Sequence, residues 1–144
     1  MLNFEVSDIY FSASRLYEGY LEVVFYNSLK QESIHVEGYN EIWYETGNSI
    51  KEEYTRIDYP KKKLGIGKKK PVINQIRSSF YNGTFILFDN GDIFRIHLTD
   101  IQGEIEEIIR IETPATLSPM ERDSIVKMFT KADPVIPSPF RSEE

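Results

Sequence analysis

Short runs in which apolar and polar residues alternate fill most of this chain, and a period of two is the mark of strands with one buried face. Leu21, Val23 and Phe25 alternate with Tyr20, Glu22, Val24 and Tyr26, and a polar turn over residues 27–31 leads into residues 33–36. Farther on, Asn90-Gly91 divides residues 84–89 from 92–98. Asn-Gly between two such runs predicts a hairpin with a two-residue type I′ turn. That register sets Leu87 opposite Phe94 and Phe85 opposite Ile96, and cross-strand partners share a face. Phe85, Leu87, Phe94, Ile96 and Leu98 then form an apolar core row. Thr84, Ile86, Phe88, Ile93, Arg95 and His97 are left on a mixed outer face.

A second Asn-Gly, Asn82-Gly83, turns residues 76–81 back onto the same hairpin and sets Phe80 opposite Phe85. The competing reading is a helix from Pro71, with Val72, Ile73, Ile76 and Phe80 on one stripe and Gly83 after its end. The strand is preferred because it continues the meander. A further hairpin is expected to join residues 41–45 to 52–58 through Thr46-Gly47-Asn48. Residues 105–112, rich in Ile, read as a strand, although Ile105, Ile108 and Ile109 also suit a helix.

The period changes only near the end. Ser118-Pro119-Met120-Glu121 places Ser at the N-cap, Pro at the first helical position and Glu three residues after the cap. This is a capping box, with proline where its missing N–H costs nothing. Ile125, Met128 and Phe129 follow as an apolar stripe, and Ala132-Asp133-Pro134 ends the helix. The expected fold is therefore mostly β (β-rich α+β). It is an antiparallel meander sheet of six to eight strands, curled or sandwich-like, with one C-terminal helix over about 118–132. Residues 1–133 read as one domain, and residues 134–144, with three prolines and two terminal glutamates, as an extended or disordered tail.

Composition fits this picture and narrows the function. A chain of 144 residues with 40% hydrophobic and 28% charged content folds around a core of its own. No cysteine is present, which excludes disulfides, thiol catalysis and thiolate metal sites and agrees with a cytoplasmic address. The N-terminal residues carry neither a basic region nor an apolar stretch of the signal-peptide kind. The longest apolar runs, 23–26 and 85–88, are far too short to span a bilayer.

Charge changes the picture more than composition does. Residues 1–59 carry net −7, residues 60–100 net +5 and residues 101–144 net −4. The basic excess lies mainly in Lys61, Lys62, Lys63, Lys68, Lys69 and Lys70, uninterrupted by an acid, with Gly65 and Gly67 between the two triplets. Such a loop, extended by Arg77, would contact phosphates as point charges; the alternatives are a solvated connection or a docking patch for an acidic protein. Because every charge in the loop is Lys, base-specific readout is not implied.

Trp43, with Tyr39 and Tyr44, stands among Glu37, Glu41 and Glu45. In a strand Trp43 shares a face with Glu41, and Tyr44 faces the other way with Ile42. A lone Trp is commonly a core anchor, yet an acidic-aromatic surface is also what a basic protein would meet.

Catalytic chemistry has little to stand on. His35 and His97 occupy matching places in a weak internal echo, Ile34-His35-Val36 and Ile96-His97-Leu98. An ancient duplication would let the imidazoles meet, but both read more simply as solvent-facing strand residues. The carboxylates Glu52, Glu53, Asp89, Asp92, Glu104, Glu106 and Glu107 fall in turns or alternating strand positions, where solvation is the default. No nucleotide loop, nucleophile elbow or metal-binding helix is present, and no cofactor or metal is expected. The reading is a non-catalytic protein-binding module of the inhibitor, immunity or adaptor kind. Phosphate, nucleotide or nucleic-acid binding at residues 61–70 stands second, and a hydrolase using surface carboxylates with His97 third.

Overall fold

The computed structural model describes residues 2–12, 22–37, 41–48, 50, 54–56, 71–79, 82–96, 109–112 and 118–138. Eleven strands and one helix are found among them: β1 (Phe4–Glu5), β2 (Asp8–Ser12), β3 (Val23–Asn27), β4 (Glu32–Val36), β5 (Ile42–Thr46), β6 (Tyr54–Arg56), β7 (Val72–Ser79), β8 (Gly83–Phe88), β9 (Ile93–Ile96), β10 (Ile109–Glu112), α1 (Pro119–Lys131) and β11 (Asp133–Val135). The fold is mostly β, as the alternation predicts, but the strands form two antiparallel sheets that do not close into a barrel. The first sheet runs β1-β7-β8-β9-β10, with β11 also on β7, and the second runs β5-β4-β3-β2-β6.

Their inner faces supply one core. Ile73, Ile76, Ile86, Phe88, Phe94 and Ile96 from the first sheet meet Ile9, Val23, Phe25, Ile34, Val36 and Ile42 from the second. Phe25 and Phe94 touch edge to face across the interface, with ring centroids 5.0 Å apart. Helix α1 covers the other face of the first sheet, where Ile125, Met128 and Phe129 pack on Phe85, Leu87 and Ile93. The capping box is formed: the Glu121 N–H donates to Ser118 Oγ, and the Ser118 N–H donates to the Glu121 carboxylate. At the helix's other end the Arg77 guanidinium, from β7, donates to the Thr130 and Ala132 carbonyls and lies 5.0 Å from the Phe129 ring centroid.

The central hairpin differs from the expected register by one residue. Its loop has three residues, not two: Gly91 N–H donates to the Phe88 carbonyl and Phe88 N–H donates to the Asp92 carbonyl. A type I′ turn needs positive φ at both central residues, but only Gly91 takes it here, at 95°. Asn90 uses its side chain instead, accepting the Asp92 N–H at 2.9 Å. Ile86 therefore opposes Phe94, and Phe85 opposes Arg95. Because the side-chain period is two, the one-residue shift exchanges the faces. Ile86, Phe88, Phe94 and Ile96 point into the sandwich, while Phe85, Leu87 and Ile93 lie under the helix. Neither face is left open to solvent.

The preference for strand over helix in the preceding segment is met by β7, though Gly83 pairs with Ser79 and Phe85 opposes Arg77 rather than Phe80. Phe80 lies outside the described residues. In the Ile-rich segment, 109–112 form a strand on β9, and 105–108 lie outside the described residues. The hairpin expected between residues 41–45 and 52–58 does not form. Strand β5 pairs with β4, and β6 pairs with β2 at the opposite edge of the same sheet. The β4–β5 register explains the choice, because it sets Ile34 beside Tyr44 and Val36 beside Ile42 on the core face.

After α1, residues 133–138, which include the first part of the segment expected to be a tail, join the fold, and residues 139–144 lie outside the described residues. Strand β11 pairs with β7 in the first sheet, and Ser138 makes a parallel bridge to Trp43 in the second. Residues 136 and 137 thus form a strap from one sheet to the other. No helix among the described residues is long and apolar enough to cross a membrane.

Candidate functional site

The outer face of the second sheet carries the most concentrated polar chemistry. Strand β4 places Ser33 and His35 two positions apart, and hence on one face, while β5 brings Glu45 opposite Ser33 and Trp43 opposite His35. Glu22 enters just before β3, and Tyr54 comes from β6 at the far edge. His35 Nδ1 lies 2.7 Å from Glu22 Oε2, and His35 Nε2 lies 2.8 Å from Ser33 Oγ. Glu45 Oε2 approaches the same Nε2 at 3.4 Å. The Tyr54 hydroxyl donates to Glu22 at 2.9 Å, and the Trp43 indole N–H donates to Glu45 at 2.7 Å. The imidazole and indole rings stack, 5.0 Å between centroids and 10° from parallel.

His35 is 1% exposed, which corrects its reading as a solvent-facing residue. Ser33 and Glu22 are buried as well. Buried polar groups need partners, and this network supplies them. Glu22 and Ser33 thus hold the two ring nitrogens, one each, and fix the plane of the imidazole.

The order Ser33–His35–Glu22 matches the nucleophile, base and orienting acid of serine hydrolases. The surroundings do not suit that chemistry. Ser33 is wholly buried, and β4 lies between β3 and β5, so its backbone groups belong to the ladders on both sides. Acyl transfer needs an accessible hydroxyl and N–H groups aimed at a developing oxyanion. What the arrangement does is fix His35, and through it the half-buried Trp43 and the Glu45 carboxylate, in one geometry. Among the described residues no three His, Asp or Glu side chains are placed to hold a metal ion.

The residues singled out in the sequence are distributed as follows. Trp43 and Glu45 come together on this outer face, and Glu41, exposed, lies just before β5 and accepts the Glu37 N–H through its carbonyl. Tyr44 points the opposite way, as the alternation requires, and packs against the core. Burial, with the Glu32 carboxylate beside it, pushes its phenol up to about 12. Arg77 is engaged at the end of α1, Asp92 accepts from the Asn90 side chain within the hairpin loop, and Asp89 accepts from the Asn74 side chain of β7. Tyr39, Lys61, Lys62, Lys63, Lys68, Lys69, Lys70, His97, Glu52, Glu53, Glu104, Glu106 and Glu107 lie outside the described residues.

Glu22, Ser33 and Tyr54 join the site without having been singled out. One signal was available: folding residues 22–36 about the polar turn sets Val24 opposite His35, and Glu22 and Ser33 share that face by alternation. Comparison with known proteins finds no matching family model, no matching curated protein and no matching solved structure.

Proposed function

We propose that this chain is a non-catalytic protein-binding module of the inhibitor, immunity or adaptor kind, acting in the cytoplasm. Its contact surface centres on Trp43 and Glu45 of β5, and its partner presents a basic surface. The observation that carries this reading is the immobilised indole. Trp43 is partly exposed, yet its ring is stacked on buried His35 and its N–H is tied to Glu45. An aromatic group held in one rotamer before association loses little entropy on binding, and such anchors dominate interface energies. Glu41 and Glu45, with the net −7 of residues 1–59, would steer a basic partner toward it.

The test is affinity capture from the native host, followed by calorimetry with the retained protein. A basic partner should bind the intact chain, and Trp43→Ala should weaken it by at least about 2 kcal/mol, the usual mark of a hot spot. Glu45→Gln should slow association and flatten its salt dependence. Retention indifferent to Trp43 would remove this reading. Capture that instead vanishes when the six lysines of residues 61–70 become Ser would favour a phosphate-bearing ligand at that loop.

A further inference from the structure

A cavity of about 270 Å3 opens at the edge of the sandwich, and its walls come from three parts of the chain. Leu2 and Phe4 enter from the N-terminal strand, Ile34 and Tyr44 from β4 and β5, and Ile136 and Pro137 from the strap. Five of these six are apolar and none carries a charge. Polar wall groups are what make a water-filled hole favourable, and here the one hydroxyl, on Tyr44, is already directed to Glu32. Burial of that phenol keeps it neutral far above physiological pH.

We propose that this cavity is a binding site for a small, neutral, apolar molecule of about the size of indole, admitted past the C-terminal strap. Size follows from volume: a cavity of about 150 Å3 lined by aliphatic and aromatic groups takes benzene, so this one has room for a second ring. Neutrality follows from the described walls, which offer no counter-charge to an ion, and from the Glu32 carboxylate beside Tyr44, which repels an anion. Entry follows from how the strap is held. Between β11 and the sheet edge the described ties all fall at one residue, where Ser138 N–H and Oγ–H donate to the Ile42 carbonyl and Tyr44 N–H donates to the Ser138 carbonyl. Ile136, at the rim, is 84% exposed, so the wall it forms is only partly packed. The site lies on the core side of β5, opposite the Trp43 surface, and does not depend on it.

The experiment titrates the full chain with 5-fluoroindole, followed by fluorine NMR, and maps the contact by nuclear Overhauser effects to methyl groups. The expected result is saturable 1:1 binding with contacts to Leu2, Ile34 and Ile136, and at least tenfold weakening in Leu2→Trp, which fills the cavity. Naphthalene-2-sulfonate should bind at least tenfold more weakly than the neutral probe. Absence of saturation up to the solubility limit, contacts elsewhere, or equal affinity for the sulfonate would each overturn the proposal. If Leu2→Trp fails to fold, the contact map on the unmodified chain decides alone.

Discussion

Ser33, His35 and Glu22 show how a polar network can be assembled on a buried patch of a sheet. Each hydrogen bond there replaces water that the buried imidazole has lost, so removing one partner strands another. Ser33→Ala deletes the hydroxyl 2.8 Å from Nε2 and should cost about 1–3 kcal/mol of unfolding free energy by urea titration. Binding through Trp43 should survive that change, since Glu22 and the indole stack still orient the ring. A second prediction concerns Tyr44, raised to about 12 by burial first and by Glu32 second. Below pH 10 the phenol keeps its hydrogen whether the chain is folded or not. Between pH 10 and 12 the unfolded chain releases it and the native chain holds it, so stability falls as pH rises through that window. Tyr44→Phe should flatten this fall in denaturation midpoints measured between pH 9 and 12, whereas Glu32→Gln should flatten it only in part. At this scale alternation alone separated Trp43 from Tyr44 correctly. It could not show His35 to be buried, because that depends on Glu22, just before β3, and Tyr54 of β6, thirty-two positions apart, meeting beside the ring.

Elements were more legible than their pairings. Helix α1 was readable to within a residue because its capping box is local chemistry, written in four consecutive side chains. Ser118→Ala should cost about 1 kcal/mol in thermal or chemical unfolding, with the loss concentrated in the first turn. The hairpins were legible as hairpins, yet their registers were not. Asn-Gly fits a type I′ turn and a three-residue loop equally well, and the outcome depends on whether Asn90 adopts positive φ or satisfies Asp92 through its side chain. Apolar residues on both faces of β8 and β9 removed the usual check, since sandwich and helix between them bury both rows. Gly91 at φ 95° is the pivot of the observed register. Gly91→Ala should destabilise the chain by roughly 1–2 kcal/mol, the cost of a left-handed conformation for a residue with a Cβ. Gly91→Asn, which tolerates that region better, should recover part of the loss in the same denaturation series.

Across the whole molecule, the two sheets share a core, and among the described residues backbone ties them together at Val6–Ser7 and at the C-terminal strap. Its two ends pair with different sheets, β11 on β7 and Ser138 on β5, so it resists sliding or opening of one layer against the other. No local pattern could have announced this: Ser138 and Trp43 are far apart in the chain, and a segment with prolines at 134, 137 and 139 reads as one that avoids sheets. Pro134 and Pro137 are tolerated because only an edge is involved, where a missing N–H need face no partner. Ser138 differs, since its N–H donates to Ile42 at 3.1 Å. Ser138→Pro removes that donor and should cost about 0.5–1.5 kcal/mol of global stability. The sharper readout is amide exchange. Tyr44 N–H donates to the Ser138 carbonyl at 2.8 Å, so its protection should collapse in Ser138→Pro while Trp43 and Glu45, whose backbone faces β4, keep theirs. Uniform loss of protection along β5 would mean that the strap holds the strand itself; loss confined to Tyr44 would mean that it acts as a removable edge on an otherwise self-sufficient sandwich.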